Sequence, residues 1–229
     1  MTDDEKKIPA RFYKTASGTE PVRVWLRSLN KTARKVIGVD IKTVEYGWPL
    51  GMPLCRSIRS RKGLWEIRSA LPDKAIARVL FCTHDAQLVL LHGFVKKTQK
   101  NTKGQSGPGG RPNEEDQGRG QKDEKRKKQM SRHIGSSFDS FLEEEGILDE
   151  ATEVATKRIL AWQIDEARKK MGLSKKKFAK KMNTSEAALY RLLDPQNTSV
   201  TLRTITTAAT ILGKRVRIVL EDTPQGIRN

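Results

Sequence analysis

Four basic side chains stand near the ends of neighbouring strand-like segments in the first half of the chain. They lie within residues 63–97 and are Arg68, Arg78, Lys96 and Lys97. Side chains alternate between the two faces of a strand, so one face is expected to pack on a core. The residues predicted on that face are Phe81, Leu88, Leu90 and Phe94. The cations would then converge on one rim of a small sheet. Two guanidiniums and two ammoniums at one rim suit a phosphate that gains negative charge during a reaction.

Other side chains in this half have roles that the sequence leaves more open. The cations Arg56, Arg59, Arg61 and Lys62 are candidates for contacts with the phosphate backbone of a nucleic acid. His92 is either a structural strand histidine or a catalytic one, and Trp65 either packs on the core or stacks on a base. The sequence has no Ser/His/Asp set, Gly-rich phosphate loop or cluster of metal ligands, so neither a metal nor a cofactor is expected.

The elements that must position these cations form an α+β pattern. A strand is expected near residues 11–15, at the edge of the sheet, then a helix opening at Pro21 and a second helix over residues 31–46 that Asn30 caps. Four further strands are predicted at residues 54–59, 63–70, 75–82 and 87–94. The predicted fold is therefore two helices on a small antiparallel sheet, followed by an all-α domain with a short C-terminal strand.

Residues 173–194, LSKKKFAKKMNTSEAALYRLLD, have the pattern of a helix-turn-helix. Ser174 caps a short helix, Asn183 makes the turn, and Thr184 or Ser185 caps the next helix. The outward residues that would reach base edges are Ser185, Glu186, Ala187, Tyr190 and Arg191. Lys175 and Lys176 flank the pair and would contact phosphates. A helix near residues 201–212 and a strand at residues 215–222 complete this region, and a bundle with no DNA role is the plainer alternative.

Two segments of unusual composition lie between these regions. Residues 98–129 contain no aliphatic or aromatic residue and predict a flexible tether. Residues 130–156, which we call the arm, hold seven acidic and no basic residues between Asp139 and Glu153. We expect this acidic run to lie over the rim around Arg68, Arg78 and Lys96; a solvated helix start is the alternative. The expected boundaries are 1–97, 98–129, 130–156 and 157–222.

The net charge of +18 favours a polyanionic partner, and residues 1–100 hold most of it, with 20 basic and 9 acidic residues. The two cysteines, Cys55 and Cys82, are interpreted as small buried residues of a cytoplasmic protein. No apolar run predicts a membrane span, and the charged N-terminus does not resemble a signal peptide.

Residues 11–97 resemble a HigB-type toxin of the RelE superfamily, in its phage-derived branch, through "GLWEIR", "ARVLF" and "LLHGFVKKTQK". The resemblance implies a ribosome-dependent endoribonuclease that cuts translated mRNA, with Arg68, Arg78, Lys96 and Lys97 as catalytic or RNA-binding cations. The RNA-binding cations that hold the backbone of rRNA or mRNA would then be Arg56, Arg59, Arg61 and Lys62. The substrate's 2′-OH would attack the adjacent phosphate, while a lysine or a ribosomal group moves the proton. The usual C-terminal helix of such toxins is replaced here by the low-complexity tether.

Residues 157–213 resemble the XRE family of helix-turn-helix proteins, with Lys175 and Asn183 as departures from its pattern. With the arm and the closing strand, the second half resembles a HigA-type antitoxin. The chain then reads as a fused toxin–antitoxin pair, in which the toxin contacts the antitoxin within one molecule. The antitoxin half would bind operator DNA as a homodimer and autorepress.

Three classes of function remain open from the sequence. One is a latent mRNA endonuclease with a tethered antitoxin. Another is a DNA-binding repressor whose toxin-like domain is inactive, and a third is a non-enzymatic module that binds RNA or ribosomes. The sequence leaves undetermined the operator, the codon preference, the release trigger, and whether the fusion is natural, a frame slip or engineered.

Overall fold

A computed structural model describes residues 8–51, 53–96 and 132–218. The chain divides into two compact units, Met1–Thr156 and Lys157–Asn229. Lys97 and the tether predicted at residues 98–129 lie outside the described residues. Among the helices that the structure describes, none is both long and apolar enough to cross a lipid bilayer.

The first unit is built on a six-stranded sheet in the order β2-β3-β4-β5-β1-β6. Its strands are β1 (Ala10–Tyr13), β2 (Cys55–Ser57), β3 (Leu64–Ala70), β4 (Ile76–His84), β5 (Gln87–Lys96) and β6 (Ile134–Ser137). Its helices are α1 (Pro21–Ser28), α2 (Lys31–Gly47) and α3 (Phe138–Glu144), and α4 (Leu148–Lys170) begins in this unit. Strands β2 to β5 are successive antiparallel neighbours, while β1 is parallel to β5.

Strand β1 is not the edge strand that the sequence predicts. It lies between β5 and β6, and β6 comes from the arm. Arg11 pairs with Ser137 and Tyr13 with Ile134 across this antiparallel contact. The reason is that an exposed strand edge offers unpaired backbone groups, and here a distant part of the chain pairs with them.

The two helices of the first half begin at residues with recognisable local signals. Pro21 occupies the first turn of α1, where the missing N–H costs nothing. The Asn30 side chain accepts a hydrogen bond from Ala33 N at 2.8 Å and caps α2. Both helices pack on one face of the sheet, where the Trp25 ring of α1 lies directly over Gly93 of β5.

A bulge in β5 changes which of its residues face the core. Leu80 pairs with His92, but the next residue, Phe81, pairs with Leu90, so Leu91 is an extra residue. One extra residue reverses the alternation beyond it. Phe81, Leu88 and Leu90 are fully buried as the sequence predicts, whereas Phe94 is 36% exposed. The prediction that Phe94 faces the core is therefore wrong, because Gly93 has taken that side of the strand.

The contact between Trp25 and Gly93 leaves no room for a side chain. A Cβ built at Gly93 would lie 2.1 Å from Cε3 of Trp25. We expect Gly93→Ala to destabilise the first unit by about 1–3 kcal/mol, because a fixed indole must move. Gly51→Ala is the matched control, since a Cβ there meets nothing within 4 Å. Denaturant unfolding followed by tryptophan fluorescence checks this, and equal midpoints for the two variants would contradict it.

The second unit is helical over the residues described. It contains most of α4, then α5 (Lys175–Lys181), α6 (Glu186–Leu193) and α7 (Leu202–Ile211). Ser174 caps α5, Ser185 caps α6, and Asn183 adopts a left-handed φ of 51° in the turn between them. The buried core comprises Ile164, Phe178, Ala179, Met182, Leu189, Leu192, Ala208 and Leu212. The sequence predicts a closing strand at residues 215–222. Residues 214–218 have no regular structure, and residues 219–222 lie outside the described part of the chain.

Candidate nucleic-acid interfaces

Three of the four predicted catalytic cations lie on the face of the sheet opposite α1 and α2. Arg68 of β3 pairs directly with Arg78 of β4, and Lys96 of β5 pairs with Ile76, two residues before Arg78. Paired residues point to the same side, so Arg68, Arg78 and Lys96 share one face. Arg56 of β2 joins them because it pairs with Glu66. We call Arg56, Arg68, Arg78 and Lys96 the basic face.

Glu66 lies at the centre of the basic face, with its side chain only 4% exposed. Arg78 Nη1 donates to both Glu66 oxygens, at 2.9 and 2.8 Å. Arg56 Nε lies 3.3 Å and Arg68 Nε 3.7 Å from Glu66 Oε1. One carboxylate thus gathers three guanidiniums, and a positive excess remains. Such an excess can receive a phosphate, whose charge the guanidinium geometry matches.

His92 and Phe94 extend the basic face on β5. Both are exposed, their rings stack with centroids 5.8 Å apart, and Phe94 pairs with Arg78 across the strands. The bulge at Leu91 brings them to this side. The ring nitrogens of an imidazole can donate and accept hydrogen bonds. His92 therefore adds a hydrogen-bonding group to the face that carries Arg68 and Arg78.

The remaining predicted residues of the first half fall elsewhere. Arg59, Arg61 and Lys62 are exposed in the turn between β2 and β3. Trp65 packs edge-on against Trp48 at 4.8 Å on the helix side of the sheet, which makes it a packing residue. Cys55 is buried, and burial raises the pKa of its thiol to about 12. Among the described residues, no three His, Cys, Asp or Glu side chains are grouped as a metal site would require.

The arm does not lie over the basic face, and this expectation from the sequence is wrong. Its strand β6 pairs with β1, and its helix α3 buries Phe138 and Phe141 against Phe12, with ring centroids 5.8 and 5.6 Å away. Leu142 reaches Gly38 of α2. These side chains need an apolar site, which the edge beside α1 and α2 provides and the basic face does not.

The carboxylates of the arm meet cations of α1 and α2 instead. Glu144 Oε2 lies 2.5 Å from Arg23 Nη2 and 2.7 Å from Arg27 Nη2. Glu145 contacts Arg34 and lies 3.8 Å from Arg27 Nε, and Glu150 contacts Lys35. We call Arg23, Arg27, Arg34 and Lys35 the cation row. Further along α2, Lys42 Nζ lies 2.6 Å from Asp139 Oδ1 and 2.9 Å from Glu45 Oε2.

The start of the arm is also held by polar contacts to α1 and the residue before it. Glu20 accepts from Ser136 N at 2.6 Å and from Ser136 Oγ at 2.8 Å. Arg23 donates to the same hydroxyl at 2.5 Å. A Cβ at Gly135 would lie 2.3 Å from Glu20 Oε1 and 2.9 Å from the backbone oxygen of Phe12, so a larger residue would have to displace one of them. Burial alone would raise the pKa of Glu20, but the hydrogen bonds from Ser136 and Arg23 outweigh it, and the pKa lies below its ordinary value.

This lowered pKa predicts an acid-sensitive arm. A carboxyl with a depressed pKa stabilises the fold above its unfolded value of about 4.5 and loses that contribution as the pH falls further. We expect the first unit to lose stability between about pH 5 and pH 3, and Glu20→Gln to reduce this loss. Denaturant midpoints measured across this range check it. Glu186→Gln, in the second unit, is the control that should leave the pH dependence of the first unit unchanged.

The predicted DNA-binding residues of the second half share one exposed surface around α6. Lys175 Nζ lies 4.7 Å from the Tyr190 ring centroid, a cation–π contact that joins α5 to α6. The other predicted DNA-binding residues are all exposed: Lys176, Ser185, Glu186, Ala187, Tyr190 and Arg191. Lys175, Tyr190 and Arg191 line a shallow groove with Leu193 and Asp194.

A buried lysine that the sequence analysis does not single out fixes the end of α6. Lys157 of α4 donates to the Leu192 carbonyl at 2.8 Å and to the Asp194 carbonyl at 2.7 Å. A cation is favourable where the carbonyls at a helix C-terminus have no partner within the helix. Burial lowers the pKa of Lys157 and the Asp194 carboxylate opposes this shift. No local pattern in the sequence predicts this long-range cap.

Comparison with known proteins gives one match. Residues 24–105 match the model of the family described as phage derived protein Gp49-like (DUF891), which is related to RelE and toxin-type proteins. The match covers less than half of the chain. It begins within α1, runs through β5 and so contains the whole basic face, and it ends before the arm. No curated protein and no solved structure matches the chain.

Proposed function

We propose that the chain is a fused toxin–antitoxin protein whose first unit is a ribosome-dependent mRNA endoribonuclease. The observation that carries this proposal is the convergence of Arg68, Arg78 and Lys96 on one open face, inside the segment that resembles toxin-type proteins. Cleavage by attack of the substrate's 2′-OH needs stabilisation of a phosphorane and a proton acceptor. The basic face offers cations for the first need and His92 for the second.

The roles on this face follow from its contacts. Arg68 and Arg78 stabilise the charged phosphate, and Lys96 protonates or neutralises the leaving oxygen. Glu66 is engaged by Arg78 through two hydrogen bonds, so it positions the guanidinium and does not act as the base. Arg59, Arg61 and Lys62, exposed beside β2 and β3, extend the positive surface along the RNA backbone.

The second half neutralises the first in cis through the arm. Because the described arm sits against β1, α1 and α2, it leaves the basic face uncovered. Neutralisation therefore acts on ribosome docking and not by plugging the catalytic face.

A second function is favoured by Glu66. The Glu66 carboxylate already forms an ion pair with the guanidinium of Arg78 and lies close to those of Arg56 and Arg68. A permanently engaged cluster would be structural, and the chain would then be a DNA-binding repressor with an inactive toxin-like domain. Cleavage assays decide between the two proposals.

The test compares three forms of the chain in a ribosome-programmed mRNA cleavage assay. These are the full chain, residues 1–156 and residues 1–100, each first checked for folding by circular dichroism. We expect cleavage by residues 1–100, little by residues 1–156, and restoration of inhibition when a peptide of residues 132–156 is added to residues 1–100. If residues 1–100 are folded and cleave no more than the full chain, the first unit is not a nuclease and the repressor remains.

The second unit is proposed to bind operator DNA as a homodimer and to repress its own transcription. The exposed cations at α5 and α6 support this, with α6 presenting Tyr190 and Arg191 to bases. We expect Lys175→Ala/Arg191→Ala to weaken binding to a random duplex and to reduce the slope of log K against log salt by about 2. Lys169→Ala is the control, since Lys169 pairs with Asp165 and Glu166 on α4. Equal slopes for the two variants would contradict a DNA role for this surface.

A further inference from the structure

The cation row is a strongly positive surface whose charge is cancelled by carboxylates from a distant part of the sequence. Three guanidiniums and two consecutive carboxylates form a ladder in which Arg27 contacts both Glu144 and Glu145. At the two ends of this ladder, Arg23 contacts Glu144 and Arg34 contacts Glu145. Lys35 extends the cation row by contacting Glu150. Guanidiniums bind carboxylates and phosphates with the same fork geometry.

The carboxylates contribute less to holding the arm than its buried apolar side chains do. Arg27, Lys35, Glu144 and Glu150 are about half exposed, and exposed ion pairs contribute little to stability; only the Arg34–Glu145 pair is mostly buried. The arm is anchored by fully buried side chains, chiefly Phe138, Phe141 and Leu142. The arm could therefore lose its charges and keep its place. This separation indicates that the acidic residues serve to neutralise the row.

We propose that the cation row is a second RNA-backbone-binding surface, distinct from the basic face, on which Glu144, Glu145 and Glu150 stand in for phosphates. The proposal rests on the proposed function in taking RNA as the ligand of the first unit. The row lies on α1 and α2, on the opposite side of the sheet from Arg68 and Arg78. The first unit would thus bind RNA through two surfaces, the cation row for docking and the basic face for cleavage. The arm blocks the cation row.

The test uses the full chain with Glu144→Gln, Glu145→Gln and Glu150→Gln, which we call the arm-charge variant. Binding of a labelled single-stranded RNA of about 12 nucleotides is followed by fluorescence anisotropy between about 50 and 200 mM salt. We expect about tenfold tighter binding than for the natural chain, and a salt slope steeper by about 2 to 3, because up to four cations become available. Adding Arg27→Ser and Arg34→Ser should return both values to those of the natural chain.

A matched control separates the site from net charge. Glu114→Gln/Glu115→Gln/Glu124→Gln adds the same charge between the two halves. An equal gain in this control, or a gain that survives Arg27→Ser/Arg34→Ser, overturns the proposal. Should thermal melting show that the arm-charge variant has lost its fold, Glu144→Gln alone replaces it, with an expected gain of about threefold from the two guanidiniums it frees.

Cleavage of ribosome-bound mRNA is measured on the same samples. Tighter, Arg27-dependent RNA binding without cleavage supports the second surface and contradicts the proposed nuclease. Cleavage by the arm-charge variant with no gain in its RNA binding supports the nuclease and overturns the second surface.

Discussion

Arg78→Gln is expected to lower ribosome-dependent mRNA cleavage by about 10²–10³-fold, the usual cost of removing one preorganised donor from a developing oxyanion. The guanidinium is held in place by its two hydrogen bonds to Glu66, and the strand register sets it beside Arg68. Glutamine is shorter than arginine, but it keeps a polar hydrogen-bond donor and removes the charge. The measurement is single-turnover cleavage by whichever form of the chain cleaves ribosome-bound mRNA, residues 1–100 or the arm-charge variant.

The control for this prediction concerns the stability of the sheet. Arg78→Gln leaves the buried Glu66 carboxylate without its closest cation, and an unpaired buried charge destabilises a fold. Glu66→Gln/Arg78→Gln removes both charges, so it should recover most of the stability but none of the cleavage. A double variant that regains cleavage would show that Arg78 acts only through the fold, and the structural interpretation of the cluster would then be correct.

Local signals in the sequence predict where helices begin, because capping depends on a few adjacent residues. Pro21, Asn30, Ser174 and Ser185 each lie at the helix start that the sequence indicates. Asn183 takes the left-handed turn that its side chain tolerates well. The pairing of Arg68 with Arg78 likewise follows from strand alternation around a short turn.

The errors arise where the outcome depends on residues far apart in the chain. The bulge at Leu91 places Gly93 under Trp25 and moves His92 and Phe94 to the basic face. The arm pairs with β1 because that edge and the adjacent apolar site are open, which no charge pattern reveals. Charge complementarity alone favours any basic surface, so the sequence predicts a partner for the acidic run but assigns it to the wrong face.

Phe141→Ala is expected to destabilise the first unit by about 3–5 kcal/mol, the usual cost of truncating a buried phenylalanine. The ring is 1% exposed, packs edge-on against Phe12 at 5.6 Å, and lies beneath the Arg23 guanidinium at 6.0 Å. Because Phe138 stacks on Phe141 at 6.0 Å, the two truncations should be less than additive. The arm would then behave as part of the core of the first unit and not as an appendage.

The measurement exploits the distribution of tryptophans. Trp25, Trp48 and Trp65 belong to the first unit and Trp162 to the second, so a Trp162→Phe background reports on the first unit alone. Phe178→Ala is the matched control, because Phe178 is equally buried in the core of the second unit. Fluorescence-detected unfolding should shift for Phe141→Ala and stay in place for Phe178→Ala. If Phe141→Ala leaves the transition unmoved, the arm is not seated on β1, α1 and α2 in solution, and the cation row is open without any change in charge.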